Sequence, residues 1–496
     1  MKFSWPIVRY VVEGIVILEL LSALGYFYPI IGTIATVIGL LAVLWLTIRR
    51  LEWGFYVLAI DLLIGAKGYL LSLSLGGFQL SWRIGIWLII MAVWFVQLIW
   101  AIYRHQAWPL IWWQRLKTSG WLMLLAMLVW GIANALLRGN QMGNIFFDAN
   151  GWLFWLIFLP ILSVSVWSLK HLTAVVSAGL LWLVAKTSFL LYAFSHFSPA
   201  LQALLYRWIR DTQVGEITKM SAQFYRVFSQ SQVYLLIFLA IVAWQLARLL
   251  PPANWLKWLI GRAGVLWLVI LSLGFLPIII GFSRSFWFGL VVIGLFLVVV
   301  VWRRYRWPVV WRWSLTLLLA GLLSLAMILA VVRFPWPRPQ LSFNAGDILE
   351  ERLGDLDNEA GASSRWSLLP KMAQAIRQAP LQGQGFGATI TYRSSDPRVL
   401  ENDASGYYTT YAFEWGWLDI VLKFGLLLAI WYFFWLARAG WQVWRYKAVG
   451  ESLAIGLVVL AAVHFFSPYL NHPLGIGYLA GLLVYLTNRH NHVSLS

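Results

Sequence analysis

Two arginines occupy positions where a permanent positive charge could bind an anion. Arg284 lies in Gly281-Phe-Ser-Arg-Ser285, which joins two strongly apolar runs with almost no loop. Arg365 follows Ser363-Ser364, a good helix N-cap, so it would lie at the positive N-terminal end of a helix. One guanidinium group can donate two parallel hydrogen bonds to a phosphate, and the exposed backbone N–H groups at the start of a helix favour the binding of an anion. The two positions predict phosphate binding, although a snorkelling arginine at a helix end would also explain Arg284.

Other charged residues lie inside apolar runs, where charge is rare and often functional. They are Glu13, Glu19, Asp61, Lys67, Lys186 and Lys423. Lys67 and Lys423 fall towards the outer ends of their runs, so both could bind substrate in an outward cavity. Internal pairing or snorkelling is the simpler interpretation for each of the six.

Membrane helices must position these residues. The chain is 61% hydrophobic and only 11% charged, with a mean hydropathy of +0.76, whereas a soluble domain has roughly 25% charged residues. Because a span needs roughly 20 apolar residues, the apolar runs predict an all-α integral membrane protein with about fourteen transmembrane helices. The absence of cysteine excludes disulfides and cysteine-ligated metals.

The positions of lysine and arginine predict the topology. They alternate with the spans so that both termini are cytoplasmic and the segment 333–411 lies outside. The net charge of +18 follows mainly from this rule and from anionic lipid headgroups, so no nucleic-acid partner is expected. The predicted units are helices 1 to 11 in residues 1–332, an external catalytic loop in 333–411, and helices 12 to 14 in 412–496.

The external segment is the only long polar interval and holds nearly half of the chain's 19 acidic residues. Its pattern predicts short helices at Asn344–Leu353 and from Ser363 to about Gln378, followed by the turn Gly383-Gln-Gly-Phe-Gly387. A second outer segment, 195–232, has leucines at the spacing of an interfacial amphipathic helix.

Several short motifs follow one another between Gly281 and Leu436. They are Ser283-Arg-Ser285, Ser364-Arg-Trp366, Ile376 with Pro380-Leu381, Gly383 with Gly385-Phe-Gly387, Phe413-Glu-Trp-Gly416 and Phe424-Gly-Leu426. In this order and membrane context they resemble the O-antigen ligase and O-antigen polymerase superfamily, whose members are GT-C type membrane glycosyltransferases.

The resemblance implies a bacterial enzyme of the cytoplasmic (inner) membrane. Such an enzyme moves a glycan from an undecaprenyl-pyrophosphate carrier to an acceptor hydroxyl on the outer face, without a metal, nucleotide sugar or other cofactor. By motif position, Arg284 and Arg365 would bind the donor pyrophosphate. Glu414, in the Phe413-Glu-Trp-Gly416 motif, is a candidate catalytic residue. The implied partners are the lipid-linked donor, a glycan or lipid-linked acceptor, membrane lipids and a chain-length regulator or other envelope polysaccharide assembly protein.

One departure from the family affects the choice of reaction. Its ligases carry a His-Asn pair before the Glu-x-Gly motif, where this chain has Ser405-Gly406, and no histidine lies in the loop. Polymerisation of O-antigen or exopolysaccharide repeat units is therefore favoured, and ligase-type transfer to a lipid or protein acceptor is the alternative.

An acceptor hydroxyl must still lose its proton during transfer. The candidate bases are Asp403, which we favour, Glu401 and His472, while Tyr407 and Tyr408 could position sugar.

Two other classes of protein are alternatives. A lipid-linked oligosaccharide transporter or flippase needs internal symmetry and charges along a midplane path. This chain shows no obvious halves and concentrates its polarity in one external loop. A non-catalytic assembly protein is the second alternative. Loss of glycan transfer on substitution of the arginines would distinguish an enzyme from both.

Overall fold

The computed structural model describes residues 4–76, 78–164, 167–220, 224–250, 254–337, 360–395, 397–446 and 448–494. Within them the chain is mainly helical. The helices of the first half are α1 (Trp5–Phe27), α2 (Pro29–Arg49), α3 (Leu51–Ile64), α4 (Trp82–Tyr103), α5 (Trp108–Thr118), α6 (Trp121–Leu137), α7 (Met142–Leu153), α8 (Phe158–Ser163), α9 (Leu169–His196) and α10 (Pro199–Asp211). Those of the second half are α11 (Val233–Leu249), α12 (Trp255–Ile260), α13 (Arg262–Gly281), α14 (Arg284–Arg304), α15 (Trp307–Val332), α16 (Ala360–Gln378), α17 (Pro397–Asn402), α18 (Gly416–Trp444), α19 (Val449–Val463) and α20 (Pro473–Ser494).

Nine helical segments among the described residues are long and apolar enough to cross a membrane, or ten if the bent pair α5–α6 is one span. This confirms the predicted all-α membrane architecture, but not the count of about fourteen. Several predicted spans are shorter helices here: α3 has 14 residues and α19 has 15. At 1.5 Å per residue such helices are shorter than the roughly 30 Å hydrocarbon core.

Charged residues inside the bundle are paired with one another. Lys186 Nζ lies 2.7 Å from Glu19 Oε1, joining α9 to α1. Arg83 Nε lies 2.6 Å from Asp61 Oδ2, joining α4 to α3. The internal pairing predicted for Glu19, Asp61 and Lys186 is therefore confirmed. Such pairs are favoured because an isolated charge would be costly away from water.

In the described part of the chain, three short antiparallel hairpins lie between the helices. Their strands are β1 (Ser72–Leu75) with β2 (Phe78–Ser81), β3 (Glu216–Lys219) with β4 (Tyr225–Phe228), and β5 (Ile390–Arg393) with β6 (Tyr407–Thr410). Two of them, β3–β4 and β5–β6, approach the end of the bundle where α13 ends and α14 begins. We call this the site end, and we call the other end of the bundle, where α18 ends, the opposite end.

Two predicted helices outside the spans are confirmed. The amphipathic helix of the 195–232 segment is α10, and the helix predicted from Ser363 is α16. Because Ala360 already begins α16, Arg365 lies in its second turn rather than at the N-terminal end. The other short helix predicted in the loop, Asn344–Leu353, lies outside the described residues.

A small apolar cluster attaches α16 to the bundle. Its buried members are Leu368, Met372, Ile390, Tyr392, Phe413, Trp415 and Leu422. They come from α16, from β5 and from the start of α18, so burial of these side chains positions the external segment over the site end.

Candidate anion site

The first guanidinium group of the site is carried by the start of α14. Arg284 is the first residue of that helix, and the turn before it is tight because Phe282 has a left-handed φ of 41°. The Oγ atoms of Ser283 and Ser285 lie 3.0 Å apart. The side chain of Arg284 is half-buried beside them. The hairpin predicted at this position thus places the cation at the site end.

The second guanidinium group belongs to Arg226 on β4, which sequence reasoning missed. Its Nε donates to the Gly281 carbonyl oxygen at 2.8 Å, and its Cζ lies 5.1 Å from the centre of the Phe228 ring. Side chains alternate along a strand, so Arg226 and Phe228 share the face that looks towards the α13–α14 turn.

The third guanidinium group is Arg365 on α16. The pKa of Arg365 is lowered from its ordinary value, first by burial and then by the positive charges of Arg284 and Arg226. This electrostatic effect requires the three groups to be near one another. The arginines come from three separate parts of the chain, and the fold brings Arg284, Arg365 and Arg226 near one another.

The Glu414 carboxylate partly balances these charges. Arg365 Nε donates to Glu414 Oε2, and the indole N–H of Trp415 donates to the Arg365 carbonyl oxygen at 3.1 Å. The rings of Trp366 and Trp415 also meet edge to face, 5.3 Å apart. Three guanidinium groups that lie near one another favour binding of a polyanion such as a diphosphate.

The glycine-rich turn passes into the helical bundle behind this cluster. The N–H of Gly385 donates to the Lys423 carbonyl oxygen at 2.9 Å, and that of Phe386 donates to the Gly131 carbonyl oxygen at 3.1 Å. On its other side the Asn134 amide nitrogen donates to the carbonyl oxygens of Gln382 and Gly383, both at 3.0 Å. The turn is therefore held between α6 and α18 by its own backbone groups.

Glycine is required where this turn passes other backbone. A Cβ at Gly383, Gly385 or Gly387 would approach backbone atoms at 2.4, 2.4 and 2.5 Å, and all three residues have positive φ. Opposite them α18 is broken at Gly425, whose φ is 78°. The N–H of Leu426 donates to the Pro380 carbonyl oxygen at 2.7 Å. Irregular backbone can lie deep in a membrane protein when other protein groups form hydrogen bonds with its N–H and C=O groups, as they do here.

A buried charge triad supports the turn. Lys423 Nζ lies 2.6 Å from both Asp148 Oδ1 and Asp419 Oδ1. The second oxygen of Asp148 accepts the Gly387 N–H at 2.8 Å, and the Asn471 amide nitrogen donates to Asp419 Oδ2 at 2.8 Å. Lys423, a candidate for substrate binding, is thus internally paired, and it links α7, α18 and the glycine-rich turn.

Asp403 and Glu401 lie further along the external segment, and both are exposed. The Asp403 carboxylate accepts the Ser405 N–H at 2.9 Å and the Ser405 hydroxyl at 2.7 Å. These hydrogen bonds lower the pKa of Asp403. A carboxylate that is stabilised in its charged form is a weaker base, which disfavours Asp403 for proton removal.

Tyr407 and Tyr408 lie on β6 and are exposed, with 62% and 43% of their surface accessible. Tyr408 pairs with Tyr392 across the hairpin, and their ring centres are 6.1 Å apart. Because Tyr392 is close enough to Arg365 to affect its pKa, Tyr408 belongs to the same neighbourhood. Tyr407 is paired with Arg393 at the end of the hairpin.

Lys67 and His472 form a second group near Arg83. Lys67 is exposed. Burial, followed by the positive charges of Arg83 and Lys67, lowers the pKa of His472 to about 3. The Nδ1 atom of His472 accepts the Leu474 N–H at 3.4 Å. A neutral imidazole with Nδ1 occupied carries its proton on Nε2, so His472 is suited to donate a hydrogen bond rather than to accept a proton.

A groove opens on the other side of the hairpin that carries Arg226. It has a volume of about 580 Å³ and lies between α10 and β3–β4. Its lining includes aromatic rings of Phe194, Tyr206 and Tyr225, and polar side chains of Gln202 and Lys219. Tyr225 and Arg226 are neighbours on one strand and point to opposite faces.

No model of a known protein family matches the chain, and no curated protein matches it.

Sequence reasoning missed three residues of this region. No sequence motif marks Arg226 as a site residue, because only the folded hairpin brings it near Arg284. Asp419 could have been found, since it precedes Lys423 by four residues in an apolar helix, and opposite charges at that spacing lie side by side. Asp148 comes from a different helix and joins this pair only in the folded chain.

Proposed function

We propose that the protein is a glycosyltransferase that moves a glycan from a polyprenyl-pyrophosphate carrier to an acceptor hydroxyl at the outer face of a membrane. The observation that supports this most is the grouping of Arg226, Arg284 and Arg365 at one end of a membrane-embedded bundle. The leaving group of such a reaction is a lipid diphosphate, whose negative charge grows as the sugar departs. Positioned guanidinium groups stabilise that charge.

In the proposed reaction, the acceptor oxygen attacks the anomeric carbon of the donor sugar. The bond from that carbon to the diphosphate oxygen breaks, and both electrons leave with the lipid diphosphate. The diphosphate takes the place of Glu414 beside Arg365, which frees the Glu414 carboxylate to accept the proton of the attacking hydroxyl. We prefer Glu414 to Asp403 as the base because it lies beside the arginines.

The groove between α10 and β3–β4 supports a glycan as the transferred group. It lies on the reverse side of the strand that carries Arg226, and it combines aromatic rings with hydrogen-bonding side chains. Sugars present both hydroxyl groups and apolar C–H faces, which such a lining matches. The many apolar helices would give the polyprenyl tail a path from the lipid.

We propose repeat-unit polymerisation of O-antigen or exopolysaccharide as the reaction, since the external loop lacks the ligase histidine. Ligase-type transfer to a lipid or protein acceptor is the alternative within the class. The proposed setting is the bacterial inner membrane, with about fourteen spans, both termini cytoplasmic and the site end outside.

The test supplies synthetic undecaprenyl-pyrophosphate-linked repeat unit to the purified protein in vesicles and separates the products by size. A ladder of longer glycans indicates a polymerase, and transfer of one unit to an added acceptor indicates a ligase. Movement of intact donor across the bilayer without any transfer would instead indicate a transporter, and would contradict the proposal.

Substitution of the arginines tests the site directly. We expect Arg284→Ala or Arg365→Ala to lower transfer by roughly a hundredfold to a thousandfold, as loss of one charge-stabilising donor typically does. The matched control is Arg377→Ala, an exposed arginine near the other end of α16, which should retain activity. Full activity in both site variants, with the fold intact, would exclude the proposed diphosphate site.

A further inference from the structure

A second cavity lies towards the opposite end of the bundle, far along α18 from the arginine cluster. Its volume is about 420 Å³, and parts of α5, α6, α8, α18 and α20 enclose it. Its apolar lining consists of Trp121, Phe158, Leu162, Trp435, Ala439, Leu479, Leu482, Leu483 and Leu486. Such a surface suits a hydrocarbon chain.

The polar lining of the same cavity carries positive charge. It consists of Arg115, Thr118, Ser119, Arg438, Gln442 and Thr487. No aspartate or glutamate lines the cavity among the residues that the structure describes. Arg438 is exposed and makes no hydrogen bond or ion pair within the described ranges. The cavity therefore has an apolar floor and a cationic, hydrogen-bonding rim, the complement of an anionic amphiphile.

Hydrogen bonds hold the walls of this cavity in place. Arg115 Nη1 donates to the Leu162 carbonyl oxygen at 3.1 Å, and the Trp435 indole donates to the Ser119 carbonyl oxygen at 3.0 Å. Between them α5 turns into α6 at an angle of 71° through Gly120, whose φ is 76°. The basic last turn of α5 is thus fixed beside the basic residue of α18.

We propose that this cavity binds an anionic glycerophospholipid such as phosphatidylglycerol. The phosphodiester would lie between Arg115 and Arg438, and the first part of an acyl chain would lie against the leucines of α20. Basic pockets between helices at a membrane surface bind anionic headgroups in this way. The site lies away from the arginine cluster of the site end and does not depend on the proposed transfer reaction.

Native mass spectrometry of the full chain in detergent tests the proposal. Increasing amounts of synthetic phosphatidylglycerol are added, in parallel with phosphatidylcholine of the same acyl chains and with undecaprenyl phosphate. We expect the wild-type protein to retain phosphatidylglycerol at least tenfold more tightly than phosphatidylcholine. We also expect Arg115→Ala with Arg438→Ala to weaken retention by roughly thirtyfold, since each arginine near a lipid surface contributes roughly fivefold.

Two further variants keep the test independent of folding. Ala439→Trp fills the cavity without removing charge and should also weaken retention, while Arg438→Ala alone leaves the Arg115 contact with α8 intact. The control is Arg445→Ala, an exposed arginine at the end of the same helix that does not line the cavity. Equal retention by wild type and all cavity variants, equal retention of the two phospholipids, or preferential retention of undecaprenyl phosphate would overturn the proposal.

Discussion

At the scale of single residues, the arginine cluster places like charges close together and pairs one of them with Glu414. Like charges repel, and repulsion together with burial lowers the pKa of Arg365. The ion pair between Arg365 and Glu414 relieves part of this repulsion while no anion is bound. An incoming diphosphate would relieve more, because it carries more than one negative charge. Glu414 would then lose its ion pair with Arg365, and its carboxylate could accept a proton.

Replacing Glu414 by glutamine separates binding from catalysis. Glu414→Gln removes a carboxylate that competes with the diphosphate for Arg365, so we expect KM for the lipid-linked donor to stay the same or fall. Loss of the base should lower kcat by roughly a hundredfold or more. Steady-state transfer assays measure both constants. The control is Glu13→Gln, which changes an exposed carboxylate of α1. An unchanged kcat in Glu414→Gln would assign the base to another residue.

At the scale of elements, the site depends on a turn that is inserted between two helices. The glycine-rich turn and the break in α18 fit each other, since a Cβ at Gly425 would lie 2.2 Å from the Leu381 carbonyl oxygen. The backbone groups of α18 that lose their helical hydrogen-bond partners at the break form hydrogen bonds with the turn and with the residues just before it. The turn follows α16 directly in the chain, so its insertion also restricts where Arg365 can lie.

Adding one methyl group to the turn should displace it. Gly385 has a φ of 77°, and its Cβ would lie 2.4 Å from the Ala135 backbone nitrogen. We expect Gly385→Ala to lower the free energy of unfolding by more than about 3 kcal/mol, seen as a lower melting temperature in detergent. Gly321→Ala is the control, because no atom lies within 4 Å of a Cβ there. Equal melting temperatures for the two variants would contradict the inserted arrangement.

The triad of Lys423, Asp148 and Asp419 behind the turn should stabilise the fold. Lys423→Met would leave the carboxylates of Asp148 and Asp419 buried without their cation, and loss of one member of a buried ion pair costs roughly 3–5 kcal/mol. We expect a corresponding loss of thermal stability in detergent. Lys371→Met removes an exposed lysine from α16 and should change stability by about 0.5 kcal/mol or less. If Lys423→Met has the same melting temperature as the wild type, the triad does not stabilise the fold.

The sequence predicts those parts of this arrangement that depend on local pattern. Apolar runs predicted the membrane class, and helical spacing predicted α10 and α16. The α13–α14 hairpin and the glycine-rich turn were also found from sequence, because glycine and a lone arginine are visible locally. The insertion of the turn, the break at Gly425 and the position of Arg226 depend on contacts between residues distant in the chain. Hydrophobic periodicity carries no information about such contacts.

At the scale of the whole molecule, the two ends of the bundle differ in what they could bind. The site end has the arginine cluster, the hairpins β3–β4 and β5–β6, and the external segment. The opposite end has the α5–α6 corner and the cationic cavity. If the distribution of lysine and arginine sets the orientation, the diphosphate site faces outwards and the phospholipid cavity faces the cytoplasm. The two proposed ligands would then be anionic lipids of opposite leaflets.

Cysteine labelling tests this orientation, and the chain suits it because it has no cysteine of its own. Thr409→Cys places a thiol on exposed β6 at the site end, and Gln106→Cys places one on the exposed turn between α4 and α5 at the opposite end. In intact cells we expect a membrane-impermeant maleimide to label Thr409→Cys and not Gln106→Cys. Permeabilised cells should give labelling of both. Labelling of Gln106→Cys alone in intact cells would invert the topology, and the arginine cluster would then face the leaflet where no outward-facing glycan donor could reach it.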